Sequence, residues 1–381
     1  MVARALLSVA FALLLLATPA VAQRSTLWST CTGKPGIDWE QQIKDCTAII
    51  ESKQEAQADL AVAYNNRGVA RLELVGSSMV LPDESAMADF GMAIKLAPNY
   101  ADAYYNRGRV WQAAGVYHNA VDLYSYAIKL NPRHAAAYRQ RGLARFMGGD
   151  IKLARADMDT AIRLDPNEPG AYLERSYARR VTRDLNGAIA DLTKAIRLDP
   201  DLAVAYRERG RIWVDKNDFK RAANDFSEMI RIEPDRASNH ANRGFVRFFQ
   251  ADFAAAATDF QSANELQPDH YNDVAVQVLF RYLARMRAGQ DARAELEAVS
   301  DVSPYASIQK LYLGQTTPEE AMEDASSYDR CRVQFYIGQW HIVRAERDAA
   351  RRLLKEATAA ACKDFYPHHR ASLVELRRMG P

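Results

Sequence analysis

The sequence predicts an all-α solenoid of stacked helical hairpins, and three observations carry that prediction. Pro98, Pro132, Pro166, Pro200, Pro234 and Pro268 are spaced 34 residues apart. A fixed period of roughly 20–50 residues marks a stacked repeat array. Inside each period, small and apolar residues recur at helical intervals twice, once on each side of a turn. The chain is 48% apolar and 26% charged over 381 residues, the composition of an ordered protein. A solenoid of that length needs no single large core.

Each element of the repeat has a physical reason. With Ala101 as position 1, position 4 reads Tyr64, Tyr104, Tyr138, Tyr172, Tyr206 and His240. Position 8 reads Gly68, Gly108, Gly142, Ser176, Gly210 and Gly244, and position 20 is alanine in all six units. Positions 4, 8 and 11 share one helix face, and 20, 24 and 27 share another. Two helices therefore face one another, with glycine against alanine allowing close approach and bulky residues at 4 and 24 filling the ends. Asp150, Asp184, Asp218 and Asp252 at position 16 suit the N-cap of the second helix. The proline at position 32 ends it, because the preceding residue avoids the helical region.

This pattern resembles the tetratricopeptide repeat (TPR) over six consecutive units, residues 61–268. The first unit departs from it by a six-residue insertion near Gly76 to Asp83. The resemblance implies a right-handed superhelix whose concave face is lined by first-helix positions 2, 5, 9, 12 and 13. Here these include Asn65, Tyr105, Arg109, Gln112, Arg139, Phe146, Tyr177, Arg180, Arg207, Arg211, Phe248 and Phe249. Arginines beside aromatics suit an extended peptide, including an acidic one; ordinary surface ion pairs explain them equally well. Some TPR domains grip a terminal carboxylate with Lys, Arg and Asn from three successive units. The nearest match, Arg207, Arg211 and Asn242, continues to Asn272 and Val276 and so lacks the last two cations.

Position 7 is arginine in every unit: Arg67, Arg107, Arg141, Arg175, Arg209 and Arg243. Position 23 is aspartate in five, with Leu123 in the second unit. Two opposite charges repeating together predict an ion pair locking each hairpin, in preference to an anion-binding ladder.

The flanks read differently. Arg4, the apolar run Leu6 to Ala17 and Ala20-Val21-Ala22 form a signal-peptide pattern over 1–22. Its apolar run is too short to span a bilayer. Cleavage after Ala22 would deliver the chain to the periplasm or the medium. There, Cys31, Cys46, Cys331 and Cys362 suit disulfides. Residues 23–60 form an N-terminal cap with a lone second helix, and Cys46 takes a core position beside a loop carrying Cys31. Residues 269–325 form a diverged helical region with a helix over Tyr305 to Gly314, followed by the cap, N1 proline and acidic turn of Thr317-Pro318-Glu319-Glu320. Residues 326–381 return to the repeat, with Gly338 at position 8, and end in an amphipathic capping helix. The two ends of that hairpin bring Cys331 to Cys362.

The charges, 50 basic and 48 acidic, form no long basic run, which disfavours nucleic acid. No catalytic motif is present, no cofactor or metal is implied, and His368-His369 reads as a solvated helix end. The expectation is an exported scaffold without chemistry of its own. Its partners are proteins or peptides. A glycan- or cell-wall-associated component and an oligomeric enzyme regulator are the alternatives. TPR units followed by Leu311-Tyr312-Leu313-Gly314 and Thr317-Pro318-Glu319-Glu320 look like the bacterial TPR lipoprotein that adapts a periplasmic protease to cell-wall hydrolases. This chain lacks that family's lipidated cysteine, so membrane anchoring is not implied.

Overall fold

The computed structural model describes residues 26–33, 36, 38–75, 84–266, 271–299, 302–363 and 366–380. The signal-peptide pattern over 1–22, the insertion near 76–83 and Pro268 lie outside them. Among the described residues all regular structure is helical. None of the helices is long and apolar enough to cross a membrane.

The chain divides into two units, joined between Leu198 and Asp199. In the first, a helical stretch over 26–31 precedes α1 (Trp39–Ser52). Four hairpins follow: α2 (Gln57–Val75) with α3 (Glu84–Leu96), and α4 (Ala101–Ala113) with α5 (Tyr117–Leu130). Then come α6 (Ala135–Met147) with α7 (Ile151–Leu164), and α8 (Pro169–Val181) with α9 (Leu185–Leu198).

The second unit opens with α10 (Ala203–Asp215) paired with α11 (Phe219–Ile232), and α12 (Ala237–Gln250) paired with α13 (Phe253–Glu265). It continues through α14 (Tyr271–Arg287), the short α15 (Arg293–Glu297), α16 (Ala306–Leu313) and α17 (Pro318–Glu323). A last hairpin, α18 (Arg330–Val343) with α19 (Arg347–Glu356), leads through a 3-10 turn at Ala360–Cys362 to α20 (His368–Arg378).

The period works through glycine, but not by leaving the bulky residues at the hairpin ends. The position-24 side chain lies directly on the position-8 glycine. A Cβ on Gly108 would come within 2.7 Å of the Tyr124 ring, and one on Gly68 within 2.7 Å of the Phe90 ring. Gly210 under Phe226 and Gly244 under Phe260 repeat the contact at 2.9 Å. Real Cβ atoms do not approach so closely, so these positions exclude a side chain unless the ring moves.

The arginine–aspartate pairs form as expected. Arg67, Arg141, Arg175, Arg209 and Arg243 each reach the aspartate of their own hairpin with two nitrogens, at 2.6–3.0 Å. Those aspartates are buried. A second arginine, at position 11, joins four of the pairs: Arg71, Arg145, Arg179 and Arg247, at 2.6–3.0 Å. The fifth hairpin, α10 with α11, has Trp213 at that position, and burial pushes Asp225 above the ordinary carboxylate range despite Arg209. In the second hairpin, α4 with α5, Leu123 replaces the aspartate, and the buried Nε of Arg107 has no hydrogen-bond partner.

Both disulfides form: Cys31–Cys46 and Cys331–Cys362. Cys31 ends the helical stretch over 26–31 rather than lying in a loop, and with Cys46 it packs against Ile49 and Ala63. Asp184, Asp218 and Asp252 accept backbone N–H bonds as caps, whereas Asp150 makes no such bond. Thr317 and Glu320 close a reciprocal capping box.

The expectation for His368 fails. It is buried, 2% exposed, with Nε2 2.9 Å from the Tyr336 hydroxyl. Burial pushes its pKa down to about 3, so the ring is neutral. The reason is tertiary: α20 folds onto an aromatic core centred on Phe280, whose ring lies 5.3 Å from Phe335 and 5.2 Å from Phe248.

Candidate functional site

The first helices of neighbouring hairpins touch along the face that carries positions 5, 6, 9 and 12. In the first unit this face is a connected polar and aromatic surface. Asn106 donates to Asn65 Oδ1 at 3.0 Å, and Asn65 donates to Asn66 at 3.2 Å. Tyr124 donates its hydroxyl to Gln112 Oε1 at 3.0 Å, and Gln112 Nε2 donates to Gln140 at 2.8 Å. Arg109 reaches Glu73 of the preceding hairpin at 2.5 Å, and Arg139 reaches Glu174 of the following one at 2.6 Å.

These bonds set which groups remain for a partner. Asn65 is buried and fully engaged in the amide chain. Arg109 and Arg139 are half-buried and paired. Tyr105 is half-buried, its ring 5.7 Å from Tyr124 and 4.9 Å from His134. Phe146 and Tyr177 face one another at 6.2 Å, both partly accessible. Arg180 is exposed and has no partner among the described residues. Met147 and Val181, at position 13, are 53% and 52% exposed, adding apolar surface beside these rings.

Glu174 is the electrostatic exception on this face. It is 7% exposed, and burial outweighs Arg139 in raising its pKa to about 7. Its Oε2 has no hydrogen-bond partner. Position 6 is an amide or an acid in all six units: Asn66, Asn106, Gln140, Glu174, Glu208 and Asn242. That regularity was available in the sequence, but the reading centred on positions 2, 5, 9, 12 and 13 passed over it.

In the second unit the equivalent surface is covered from within. Arg370 of α20 donates to Asp215 at 3.1 Å and to Asn217 at 3.3 Å. Arg378 donates to the carbonyls of Phe249 at 2.6 Å and Phe248 at 3.1 Å. The Tyr366 ring lies 6.2 Å from Phe245 and 6.4 Å from Phe249. Glu375, at 2% exposure, receives Arg287 at 3.2 Å.

Phe248 and Phe249, expected on an open groove, are therefore interior side chains at 1% and 2% exposure. Arg207 and Arg211 turn to the buried Glu208, at 3.5 Å and 3.1 Å. The predicted residues thus fall into an open set, Tyr105, Phe146, Tyr177 and Arg180, and a covered or internally paired set that includes Asn65, Arg109, Arg139, Arg207, Arg211, Phe248 and Phe249. Among the described residues no group of three or more His, Cys, Asp or Glu side chains is placed to hold a metal ion.

Comparison with known proteins agrees with this architecture. A family model described as tetratricopeptide repeat matches residues 101–169. No curated protein matches the chain. Among solved structures, pilF of Pseudomonas aeruginosa is similar over 57% of this chain and 96% of its own, at 16% identity and a TM-score of 0.50. A tetratricopeptide repeat protein from Parabacteroides merdae aligns over 68% of this chain and 99% of its own, at 15% identity and a TM-score of 0.48. YrrB, described as a TPR protein with an unusual peptide-binding site, aligns over 48% and 93%, at 20% identity and a TM-score of 0.41. At 16% identity the likeness to pilF is one of fold.

Proposed function

We propose that this chain is a scaffold binding peptide or protein segments on the concave first-helix face of its first unit, without chemistry of its own, in keeping with the tetratricopeptide repeat model that matches residues 101–169. One observation carries the reading: that face keeps Tyr105, Phe146, Tyr177 and Arg180 accessible, while the equivalent face of the second unit is filled by α20. Stacked repeats of this kind use such surfaces for partners. Aromatic rings supply contact area at low entropic cost, and the fixed amides and arginines supply hydrogen-bonding direction. Membrane crossing finds no support in the described helices, and the near-balanced charge gives no reason to invoke nucleic acid.

Export belongs to the same proposal. It is supported by the two disulfides, which persist in oxidising compartments, and by the signal-peptide pattern over 1–22. The test is site-specific photocrosslinking in the native host, with the photoreactive residue placed at Tyr105 or Tyr177, or at exposed Lys152 as a control. Discrete adducts from the first two positions and none from Lys152 are expected. Equal labelling from all three would overturn the assignment of the face.

A further inference from the structure

We propose that the second unit holds a separate cleft for a small organic acid with an apolar body. The cleft has a volume of about 460 Å³ and lies where α14, α16 and α18 end, within the size range of small-ligand sites. It is independent of the first-unit face and draws on none of its residues.

The walls divide by chemistry. Leu283, Met286, Leu311 and Val343 supply apolar surface, and the half-buried Trp340 ring adds a flat side. Val343 is 41% exposed, so apolar surface faces water there. The helices turn away at Gly289 and Gly314, both at φ +77°, and a Cβ built at either would meet nothing within 4 Å. The mouth is therefore open at those two turns.

The rim carries the charge. Arg344 lies over Trp340 with its guanidinium carbon 3.9 Å from the ring centroid. It is exposed, and it has no carboxylate or hydrogen-bond partner among the described residues. Arg293 also lines the cleft, paired with Asp291 at 3.0 Å. The rim thus has two guanidiniums and one carboxylate, a formal excess of one positive charge. Three helix C-termini approach the site and bear partial negative charge. Of the basic residues in their last turns, Arg285 and Arg287 are already paired with Glu295 and Glu375, and the exposed Lys310 is placed to offset that charge.

A guanidinium held flat on an indole keeps its edge free for a carboxylate, while the remaining wall accepts an apolar body. A neutral sugar would leave Arg344 without a counter-charge, and a cation would meet it directly. A free acid and the last residue of a chain both present a carboxylate on an apolar body, and the experiment separates them.

The test is titration calorimetry of the disulfide-bonded mature chain with N-acetylphenylalanine and with its neutral amide. Saturable binding of the acid is expected, about tenfold tighter than the amide, which is the scale of one charge-assisted contact. Arg344→Gln should remove that preference and leave binding of the amide unchanged. Val343→Glu, at an exposed wall position, should abolish binding of the acid through like charge. A heptapeptide ending in phenylalanine that binds as well as the acid assigns chain ends; one that fails to bind assigns free acids. Absence of saturable binding, equal affinity for acid and amide, or an unaltered preference in Arg344→Gln would each overturn the proposal.

Discussion

The first and second units use the same repeat positions for opposite ends. In the first, positions 5, 9 and 12 of successive first helices stay partly accessible and meet through an amide chain and ion pairs between hairpins. In the second, Phe245, Phe248 and Phe249 are sealed by the chain's own Tyr366 to Arg378 segment, while Arg207 and Arg211 pair with Glu208. The contrast separates what a repeat face is from what it does. Aromatics at these positions form core where a neighbour covers them and interaction surface where none does. The same logic extends to ionisation. Each unit buries titratable groups, among them Glu174 in the first and His368 in the second, and burial favours the uncharged form of both.

The largest expected effect is acid lability confined to the second unit. In the unfolded chain His368 takes a proton below about 6.5, whereas in the fold it does so only near 3. Acidification between those values loads the unfolded state alone, so stability present at neutral pH is lost as pH falls. The shift, 6.5 − 3 or about 3.5 units, corresponds to on the order of 5 kcal/mol over the full window. Amide hydrogen exchange in α18 and α20 from pH 7 to pH 4 checks this. Protection should fall in the wild type and fall less in His368→Gln, and identical losses would break the assignment to His368.

Next in size is Phe280→Ala. This ring contacts Phe245, Phe248, Phe260, Phe335, Tyr336 and His368, and its removal should cost about 3–5 kcal/mol. Because a repeat array loses stability locally, exchange should accelerate across the second unit and leave α4 to α7 unchanged. Equal acceleration in both units would erase the distinction drawn here.

Glu174→Gln probes the first unit with the opposite pH sign. The folded carboxyl holds its proton up to about 7, against 4.5 for an ordinary glutamate. The wild-type side chain therefore contributes stability that is fully present below about 4.5 and lost as pH rises through 7. The difference, 7 − 4.5 or 2.5 units, is about 3 kcal/mol. Exchange protection in α6 and α8, compared between wild type and variant, should diverge across that window. A pH-independent difference would show that burial of Glu174 is not the cause.

The hairpins were legible in the sequence because each rests on local spacing. Gly108 under Tyr124 and Arg175 with Asp191 recur at a constant separation, so periodicity exposes them. The second arginines, Arg71, Arg145, Arg179 and Arg247, gave the same periodic signal and were missed because position 11 read as packing surface. The sealing of the second unit left no such trace. Arg370 and Asp215 are 155 residues apart, and Arg378 and Phe249 are 129 apart. A contact made once has no period. His368-His369 at a helix start looks solvated until the aromatic core that buries His368 is assembled around it. The cleft at Trp340 and Arg344 was hidden for the same reason, since three helices bring its walls together.

The smallest predicted effect is a gain, and it tests the ion-pair rule where the chain breaks it. In the second hairpin Leu123 stands at the aspartate position, Trp111 at the second-arginine position, and the buried Arg107 Nε has no partner. Leu123 is only half-buried, so its replacement removes little packing. Leu123→Asp should place a carboxylate against Arg107 with the two-nitrogen geometry of Arg141 and Asp157. Satisfying a buried donor is worth about 1–3 kcal/mol, less the lost leucine contacts, leaving a net gain of about 1 kcal/mol. Thermal unfolding of Leu123→Asp and of Leu123→Asn reads it out. The aspartate should raise the midpoint above wild type and above the asparagine, because only the charged pair matches the guanidinium fork. Equal midpoints for the two variants would show that α4 and α5 are held by packing alone, and that the five other pairs specify alignment more than stability.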